Sequence, residues 1–519
     1  MRKLCVILSM ALLLSSFLVS CSSNKGEDSL KNEYVDINNN VTAYWSDGSD
    51  FTPVLRFITG SDLHFRQWYT AQTIPRLSYF IDDMYAYAKT QEYDKIDAFI
   101  FNGDLTELGA DSEFEMLNQV IQSKVNQEET VVLMPYAGHD CIKYYDDKTG
   151  FTTDKKEVVA RMESVTGNDS GVHITLNGFH FITVSTTQVG MVNRDDEFVE
   201  GYDETWIREQ LESAEKEDEY KPIFMFFHHP LEGTLMGTKH DDSPGGEDYY
   251  LPVLTGGETY LDYEPVFKST LEKFPQLVYF SGHYHSSFKN PLSIVQDKFT
   301  CIDTGALTYC SMISNNFKKL EGMVPFKANG LSAASGMNVV EVDAEGRIKV
   351  MPYNIVDREF YRGIGEESNQ QLIRYIEDAS NPETWLYKKQ DRIDAADNPV
   401  FTNTQIEVQN TGNGVKIKFY QAKDKDGVDS YLIEVFKNGS EDHFKKYPIS
   451  SQYFANIVPE FLYLEYYQNE ELSGYGAKYY DGKMYLFDDK LQAGEYVLKI
   501  TPYDVYGKTG TAISTTFSI

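Results

Sequence analysis

Basic side chains are scarce in this chain of 519 residues. It carries 47 lysines and arginines against 79 aspartates and glutamates, which gives a net charge of −32 at neutral pH. A surface this acidic repels the phosphate backbone of nucleic acids. The composition therefore predicts no nucleic-acid binding, although a cleft lined by metal ions can still be locally positive.

Cysteine is also scarce, with five residues and no Cys-x-x-Cys pair. The missing pair disfavours a structural zinc site. Two of the five lie in the first 21 residues, which leaves Cys141, Cys301 and Cys310. The spacing of Cys301 and Cys310 would allow a small closed loop, but an odd number leaves one thiol over, and no disulfide is predicted.

The apolar run at the N-terminus, from Leu4 to Val19, is shorter than the roughly 20 residues of a transmembrane helix. Arg2 and Lys3 precede it, and Ser20 and a cysteine end it. A basic start, a short apolar core and a small residue before the break are typical of a secretory signal. The alternative is an uncleaved signal anchor, and both interpretations place the remaining chain outside the cytoplasmic membrane.

The end of this run, Leu18-Val19-Ser20-Cys21, resembles the lipobox of bacterial lipoproteins. The resemblance implies that residues 1–20 are a signal peptide and that Cys21 carries lipid. Residues 21–50 are polar and are expected to form a flexible tether between the lipid and the first domain. The expected location is extracytoplasmic, anchored in a bacterial membrane and facing either the periplasm or the cell surface.

The chain is long enough for two or three domains. Strand and helix patterns alternate in residues 51–362, which predicts an α/β domain with buried sheet faces. Residues 363–398 are polar and are predicted to be a linker. Residues 399–519 hold short alternating strands with turn signals, which predicts a small all-β sandwich. Its segments 425–431 and 494–500 resemble parts of fibronectin type III modules.

Polar side chains follow five hydrophobic, strand-like runs at the point where each run ends. The five places are Ser61-Asp62-Leu63-His64, Asn102-Gly103-Asp104, Gly138-His139-Asp140, His228-His229-Pro230 and Gly282-His283-Tyr284-His285. Open α/β sheets bind their ligands at the carboxyl ends of the strands. The five runs are therefore expected to bring these side chains to one pocket.

Six of the ten histidines of the chain fall in these motifs. Such grouping in an acidic chain is hard to assign to core packing. In Asp-x-His and His-x-His, alternate residues of an extended segment point the same way. Carboxylate and imidazole together suit Zn, Mn or Fe ions. An aspartate can bridge two such ions, and a pair of ions can hold a hydroxide for in-line attack at phosphorus.

The ordered set of motifs resembles the calcineurin-like metallophosphoesterase superfamily, from residue 54 to about residue 356. The pattern of that family is Asp-x-His, Gly-Asp, Gly-Asn-His-Asp/Glu, a strand-end His, and Gly-His-x-His. The resemblance implies a four-layer α/β/β/α sandwich that holds two divalent metal ions. It also implies these roles: Asp62, His64 and His285 bind the first ion, Asp104 bridges, His228 and His283 bind the second ion, and His139 stabilises the phosphate or protonates the leaving group.

One position departs from the family pattern. The family has an asparagine metal ligand before the active-site histidine, and this chain has Gly138 there. The loss is expected to weaken the second metal site more than the first. Water, substrate or Tyr136 would be able to fill the gap, and Cys141 less readily. His229 is interpreted as part of the pocket wall, although it could exchange roles with His228.

The remaining histidines have other expected roles. His173 and His180 lie on a predicted hairpin with apolar neighbours and are interpreted as structural. His240 lies in the loop from Gly233 to Glu264, which is expected to be a specificity element. His443 lies in the β-sandwich, away from the site.

The function expected from these observations is metal-dependent hydrolysis of a phosphodiester or phosphomonoester by a lipid-anchored protein. The substrate would be a small molecule or a phosphoester of the cell envelope. The alternative is a catalytically degenerate, ligand-binding surface lipoprotein, and Gly138 is the observation that favours it.

Overall fold

The computed structural model describes most of the chain from residue 45 onward. The described ranges are 45–66, 70–143, 150–151, 155–186, 191–192, 198–199, 203–231, 233–236, 264–310, 314, 316, 326–327, 335–364, 370–410, 414–441, 443–451, 453–454, 460–467, 478–480, 483–486 and 493–519. The predicted signal, residues 21–44 of the predicted tether with Cys21, and His240 lie outside them. None of the helices within these ranges is long and apolar enough to cross a membrane.

The helices follow from apolar residues spaced three or four apart. In the first helix Leu77, Phe80, Ile81 and Met84 share one face, and all four are fully buried. The helices in the described ranges are α1 (Thr70–Ala88), α2 (Asp111–Lys124), α3 (Lys155–Thr166), α4 (Glu204–Glu217), α5 (Glu264–Leu271) and α6 (Lys389–Ala395).

The strands of residues 45–398 alternate with these helices. In chain order they are β1 (Pro53–Gly60), β2 (Ala98–Phe101), β3 (Val131–Leu133), β4 (Ile142–Lys143), β5 (Gly150–Phe151), β6 (Gly171–Leu176), β7 (Phe179–Val184), β8 (Met191–Val192), β9 (Phe198–Val199), β10 (Ile223–Phe226), β11 (Leu277–Ser281), β12 (Ile294–Gln296), β13 (Thr300–Asp303), β14 (Tyr309–Cys310), β15 (Phe326–Lys327), β16 (Gly336–Asp343), β17 (Ile348–Asn354), β18 (Glu359–Phe360) and β19 (Arg374–Ile376).

The first large sheet has the strand order β18-β17-β16-β1-β2-β3. Strands β1, β2 and β3 are parallel, and in the hairpin β16–β17 the strand β16 runs antiparallel to β1. The short strand β19 also pairs with β17. Part of the segment that was predicted to be only a linker, residues 363–398, thus extends this sheet.

The second large sheet has the order β12-β13-β11-β10-β7-β6. Strands β7, β10, β11 and β13 are parallel, and β6–β7 is the predicted hairpin. Its turn places Asn177 at φ 49° and Gly178 at φ 84°. Asn-Gly tolerates this left-handed backbone, which explains why the turn is readable in the sequence.

The two sheets pack face to face through aromatic side chains. The ring of Phe57 in the first sheet lies 5.1 Å from that of Phe181 and 5.0 Å from that of Phe224 in the second. Helices α1 and α2 cover the outer face of the first sheet, and α4 and α5 cover that of the second. The predicted four-layer α/β/β/α sandwich is therefore confirmed.

The C-terminal region is all-β in its described parts. Its strands are β20 (Ile406–Asn410), β21 (Gly414–Tyr420), β22 (Val428–Lys437), β23 (His443–Ser450), β24 (Phe461–Tyr467), β25 (Lys478–Tyr480), β26 (Lys483–Leu486), β27 (Glu495–Asp504) and β28 (Ile513–Ser518). They form two sheets, β20-β21-β24-β26-β25 and β23-β22-β27-β28. The alternating apolar residues of β21, β22 and β27 form the core between the two sheets. The fibronectin type III likeness stays a prediction.

The C-terminal region contacts the α/β domain close to the site described below. Ser287 Oγ donates to Phe454 O at 2.6 Å, and Asn316 Nδ2 donates to Asp504 O at 2.6 Å. Ser287 lies two residues after His285, so this contact helps to fix the segment that carries the last motif.

Candidate metal centre

The carboxyl ends of five strands meet at one edge of the sandwich. Strands β1, β2 and β3 of the first sheet and β10 and β11 of the second deliver the five motifs there. Asn102 connects the two sheets, because its Nδ2 donates to Phe227 O at 3.2 Å and to Phe280 O at 2.9 Å. The convergence inferred from the strand ends is thus present in the structure.

The backbone at this edge is unusual. Seven non-glycine residues in the described ranges have positive φ, and five of them belong to the motifs: Asp62 (52°), His64 (43°), Asp104 (45°), His283 (75°) and His285 (52°). Each such residue costs about 1–2 kcal/mol relative to ordinary backbone. Strain of this kind persists at functional sites when the surrounding structure holds it in place.

Glycines between the strands allow the close approach. Gly103 has φ 80°, and a Cβ there would lie 2.7 Å from the Cβ of His228 and 2.8 Å from that of Ala137. A Cβ at Gly282 would meet Ser61 Oγ and would lie 2.7 Å from Asp62 Oδ2. Only glycine fits at these two positions without moving the motifs apart.

The first group of candidate ligands is Asp62, His64 and His285, all buried. The Nε2 atoms of His64 and His285 lie 3.1 Å apart, and Asp62 Oδ1 lies 2.9 Å from His285 Nε2. Two nitrogens at this separation fit one ion with ligand distances of about 2.0–2.1 Å. The structure thus brings together the three residues assigned to the first ion.

Asp104 lies between this group and the next one. Its Oδ2 is 3.8 Å from His64 Nε2 and 3.3 Å from His228 Nε2. Asp62, Asp104 and His228 form a second buried group with ligand atoms within 4.8 Å of one another. This is the position that a bridging carboxylate requires.

A third group consists only of histidines. The nitrogens that His228, His229 and His283 can offer lie within 4.8 Å of one another. His228 Nδ1 donates to Asn102 O at 2.8 Å, which directs Nε2 towards the two aspartates. His283 thus lies beside His228 among the candidate ligands, and so does His229, which was interpreted as part of the pocket wall.

His139 lies at the open side of the centre, partly exposed. Its ring centroid is 4.9 Å from that of His64, and its backbone N donates to Asp104 Oδ1 at 3.1 Å. Its Nδ1 is 2.7 Å from Glu107 O. Donation from Nδ1 to this carbonyl leaves Nε2 as the atom available to a substrate.

Glu107 is a site residue that sequence reasoning missed. Its Oε2 lies 3.0 Å from His64 Nδ1, and Arg66 holds the other oxygen at 2.8 Å. A carboxylate at the second nitrogen of a metal-binding imidazole fixes the orientation of the ring. The available signal was its position three residues after Asp104.

Asp140 binds backbone groups of the surrounding loops and, within the described ranges, is not a candidate metal ligand. Its carboxylate accepts from the backbone N of Thr106 at 2.8 Å and of Ala137 at 3.1 Å, and among the described residues it belongs to no group of candidate ligands. Burial and the charge of Asp104 raise the pKa of Asp140 to about 6. These contacts orient the backbone of the loop.

The charges of the centre are strongly coupled. Burial opposes ionisation of Asp62 and Asp104, but the neighbouring imidazoles outweigh it and hold both pKa values well below the usual range. Against the same cost of burial, these carboxylates raise the pKa of His64 to about 10 and that of His228 to about 9. Burial and the charge on His228 lower the pKa of His283 to about 4. A cation that binds here would displace protons from the imidazoles.

Two buried atoms of the centre support a fit to metal ions. Asp62 Oδ1 and His228 Nε2 have no partner with hydrogen-bond geometry, although both are fully enclosed. An unsatisfied buried polar atom is costly and calls for an explanation such as an ion. The donor set of carboxylates and imidazoles is the one that divalent transition metals use. The residues present therefore fit divalent ions.

The other histidines stand apart. His173 Nε2 is 2.9 Å from His180 Nδ1, and His180 Nε2 is 3.3 Å from Glu217 Oε2, on the outer strands of the second sheet. Neither His173 nor His180 belongs to a group of candidate ligands in the described part of the chain. His443 begins β23 in the C-terminal region.

The fold and the shared groups of carboxylates and imidazoles define an α/β sandwich of the metallophosphoesterase type. Residues 55–287 match the family model described as calcineurin-like phosphoesterase, and this segment is a calcineurin-like metallophosphoesterase domain.

Solved structures that are similar to this chain include one from a plant. A purple acid phosphatase isolated from yellow lupin (Lupinus luteus) seeds is similar at 11% sequence identity and a TM-score of 0.33. The similarity covers 59% of this chain and 52% of the plant chain, so the chain spans about half the length of the lupin enzyme. Among curated proteins, none matches the sequence.

Proposed function

We propose that this protein hydrolyses a phosphodiester or phosphomonoester with the help of two divalent metal ions. The observation that carries the proposal is the arrangement around Asp104. One group of candidate ligands lies on each side of this carboxylate, at the edge where five strand ends meet. The presence of a metallophosphoesterase domain in the same residues supports it.

The residues would divide between two ions. Asp62, His64 and His285 would hold the first, His228 and His283 the second, and Asp104 would bridge, with Mn, Fe or Zn as suitable metals. When bound, such ions supply positive charge to a phosphoryl group and make a bound water more acidic.

The remaining groups would position the metal ligands and the substrate and would exclude bulk water. Glu107 holds the imidazole of His64 in place through its Nδ1 atom. The backbone oxygen of Asn102 does the same for His228. His139 is directed at the open side by Glu107 O, where its Nε2 would contact the phosphate or protonate the leaving group. The buried walls keep bulk water from the carboxylates, which strengthens each charge interaction.

The location and substrate are also part of the proposal. The lipobox-like Cys21 and the basic, then apolar N-terminus support a lipid-anchored protein outside the cytoplasm. In that place a small phosphoester or a phosphoester of the cell envelope is the expected substrate. The net charge of −32 argues against a nucleic-acid partner, because it repels the phosphate backbone.

A surface protein that binds a ligand without turnover is the second candidate. Gly138 favours it, because glycine offers no ligand where the family pattern has an asparagine. Such a protein would keep the fold and at least part of the metal centre.

One experiment separates the two. Soluble protein without residues 1–21 is analysed for metal content and then assayed for hydrolysis of a nitrophenyl phosphodiester and a nitrophenyl phosphomonoester, with Mn or Zn added. Two ions per chain together with turnover support the hydrolase. Bound metal with no turnover of either ester under any metal would favour the ligand-binding protein.

A further inference from the structure

Gly138 leaves a gap that points at the metal centre. It lies in a short 3-10 helix, Gly138–Cys141, and a Cβ at this position would lie 3.6 Å from Asp104 Oδ1. That is an ordinary van der Waals contact, so a Cβ at residue 138 would fit beside the carboxylate of Asp104. The chain instead offers no ligand atom from this position.

His229 can supply a ligand atom beside the two histidines assigned to the second ion. Its side chain is buried with only 6% of the residue exposed. Its ring centroid is 5.0 Å from that of His228 and 4.9 Å from that of His283. All three imidazoles can place a nitrogen within 4.8 Å of the other two. The three histidines are therefore a candidate group of ligands for one ion.

The segment that carries His229 is held on both sides. Tyr279 Oη donates to His229 O at 2.7 Å, and His228 O accepts from Gly282 N at 2.8 Å. Pro230 follows and restricts the backbone further. The position of His229 is therefore fixed by the strand β11 and its end, which also carry His283.

The other residues that were considered for the gap are engaged elsewhere. Cys141 is fully buried and belongs to no group of candidate ligands in the described part of the chain. Tyr136 packs in the core between the first sheet and its helices. His229, by contrast, belongs to the same group of candidate ligands as His228 and His283.

We propose that His229 is a ligand of the second metal ion and takes the place of the oxygen ligand that is missing at residue 138. This inference rests on the proposed function, since it requires that two ions bind. The second site then has three imidazoles beside Asp104, whereas the first has two imidazoles and two carboxylates. Imidazole suits zinc, and carboxylate suits manganese. The second site should therefore take Zn²⁺ in preference to Mn²⁺.

Metal content tests the inference without relying on turnover. The purified chain is stripped with a chelator, equilibrated with equal concentrations of Zn²⁺ and Mn²⁺, freed of unbound metal and analysed by mass spectrometry. The unaltered protein should hold two ions, at least one of them zinc. His229→Ala should retain one ion, with affinity at the second site lowered at least about tenfold, since even outer partners of metal ligands are worth 10–100-fold.

Three further variants make the result specific. Adding Gly138→Asn to His229→Ala should restore the second ion, because the asparagine returns an oxygen ligand to the vacant side. His180→Ala removes a histidine of similar burial from strand β7 of the second sheet and should leave both ions bound. His229→Phe keeps a ring of similar shape without a nitrogen and replaces the alanine variant if the latter does not fold.

The outcomes separate the inference from the proposed function. Two ions with unchanged affinity in both His229 variants would overturn the role of His229 and leave the dinuclear centre intact. No bound ion in the chain with His229 would overturn the dinuclear centre and the inference together. Loss of one ion in the His229 variants and its recovery with Gly138→Asn would support both.

Discussion

Asp104 is the residue on which both halves of the metal centre depend. Its Oδ2 lies 3.8 Å from His64 Nε2 and 3.3 Å from His228 Nε2, and its Oδ1 accepts from the backbone of His139. The carboxylate thus joins the two candidate ion sites to the residue that faces the substrate. Removal of the charge on Asp104 should therefore affect both ion sites and the position of His139.

Asp104→Asn keeps the size of the side chain and removes the negative charge. We expect hydrolysis to fall at least about 100-fold, because loss of a ligand should cost no less than loss of an outer partner. At least one equivalent of metal should be lost as well. Asp82→Asn, on the exposed surface of α1, is the matched control and should change neither quantity. Full turnover by the Asp104 variant would show that the bridge is assigned to the wrong residue.

Glu107 is expected to act through His64 as a positioning residue. Glu107→Gln removes the charge that lies 3.0 Å from His64 Nδ1, so metal affinity at the first site should fall about 10–100-fold. Titration of the chelator-stripped protein measures this affinity. Glu92→Gln, at an exposed residue, is the control. A lower melting temperature of the metal-free variant with unchanged metal affinity would indicate a purely structural role instead.

At the scale of elements, the strand ends work because glycine lets them approach. Gly103→Ala would place a methyl group 2.7 Å from the Cβ of His228, so the ends of β2 and β10 must separate. We expect loss of metal binding and a lower melting temperature. Gly167→Ala provides a matched control, since Gly167 also has a positive φ (70°) but no neighbouring atom lies within 4 Å of the position that its added methyl carbon would take.

The control variant should lose only the backbone preference of glycine, about 1 kcal/mol, and should bind metal normally. Metal content and thermal unfolding of the two variants give the comparison. Equal effects of both substitutions on metal content would contradict the importance of the close approach between β2 and β10.

The start of α2 should make stability depend on pH. Glu113 is buried, and its carboxylate accepts from Leu108 N at 2.9 Å. Burial raises the pKa of Glu113 from 4.5 to about 7. The folded state therefore binds this proton more tightly than the unfolded state does. The resulting stability is fully present below pH 4.5 and is lost as the pH rises through about 7.

Glu113→Gln should remove this dependence, because the amide keeps an acceptor for the backbone but does not ionise. In the presence of a chelator, the melting temperature of the unaltered chain should fall between about pH 5 and pH 8. In the variant that fall should be smaller by several degrees, because a shift of one pKa unit corresponds to about 1.4 kcal/mol and about 1 kcal/mol moves the melting temperature of a large domain by a few degrees. An identical fall in both proteins would refute the raised pKa of Glu113.

At the scale of the whole molecule, the layers and the convergence of the motifs were predictable from the sequence. The hydrophobic runs that became β1 and β2 end in polar residues, and parallel strands bring such ends to one edge. The Asn177-Gly178 turn and the strand β21 were also predictable, because each depends on residues that are neighbours in the sequence.

What the sequence did not reveal depends on contacts between distant segments. The place of His229 among the ligands is set by Tyr279 and His283, roughly 50 residues further along the chain. The contact of Glu107 with His64 joins two different strand ends. Strand β19 was predicted as linker because three residues carry too little periodicity to indicate a strand without their partner β17.

The most direct test of the dinuclear centre is a crystal structure of the protein grown with Zn²⁺ and Mn²⁺, with anomalous diffraction measured at both absorption edges. Two peaks are expected about 3.5–4 Å apart on either side of Asp104, one beside His64 and His285 and one beside His228 and His283. Ions bound elsewhere, or aspartates and imidazoles that point to separate surfaces, would contradict the proposed centre.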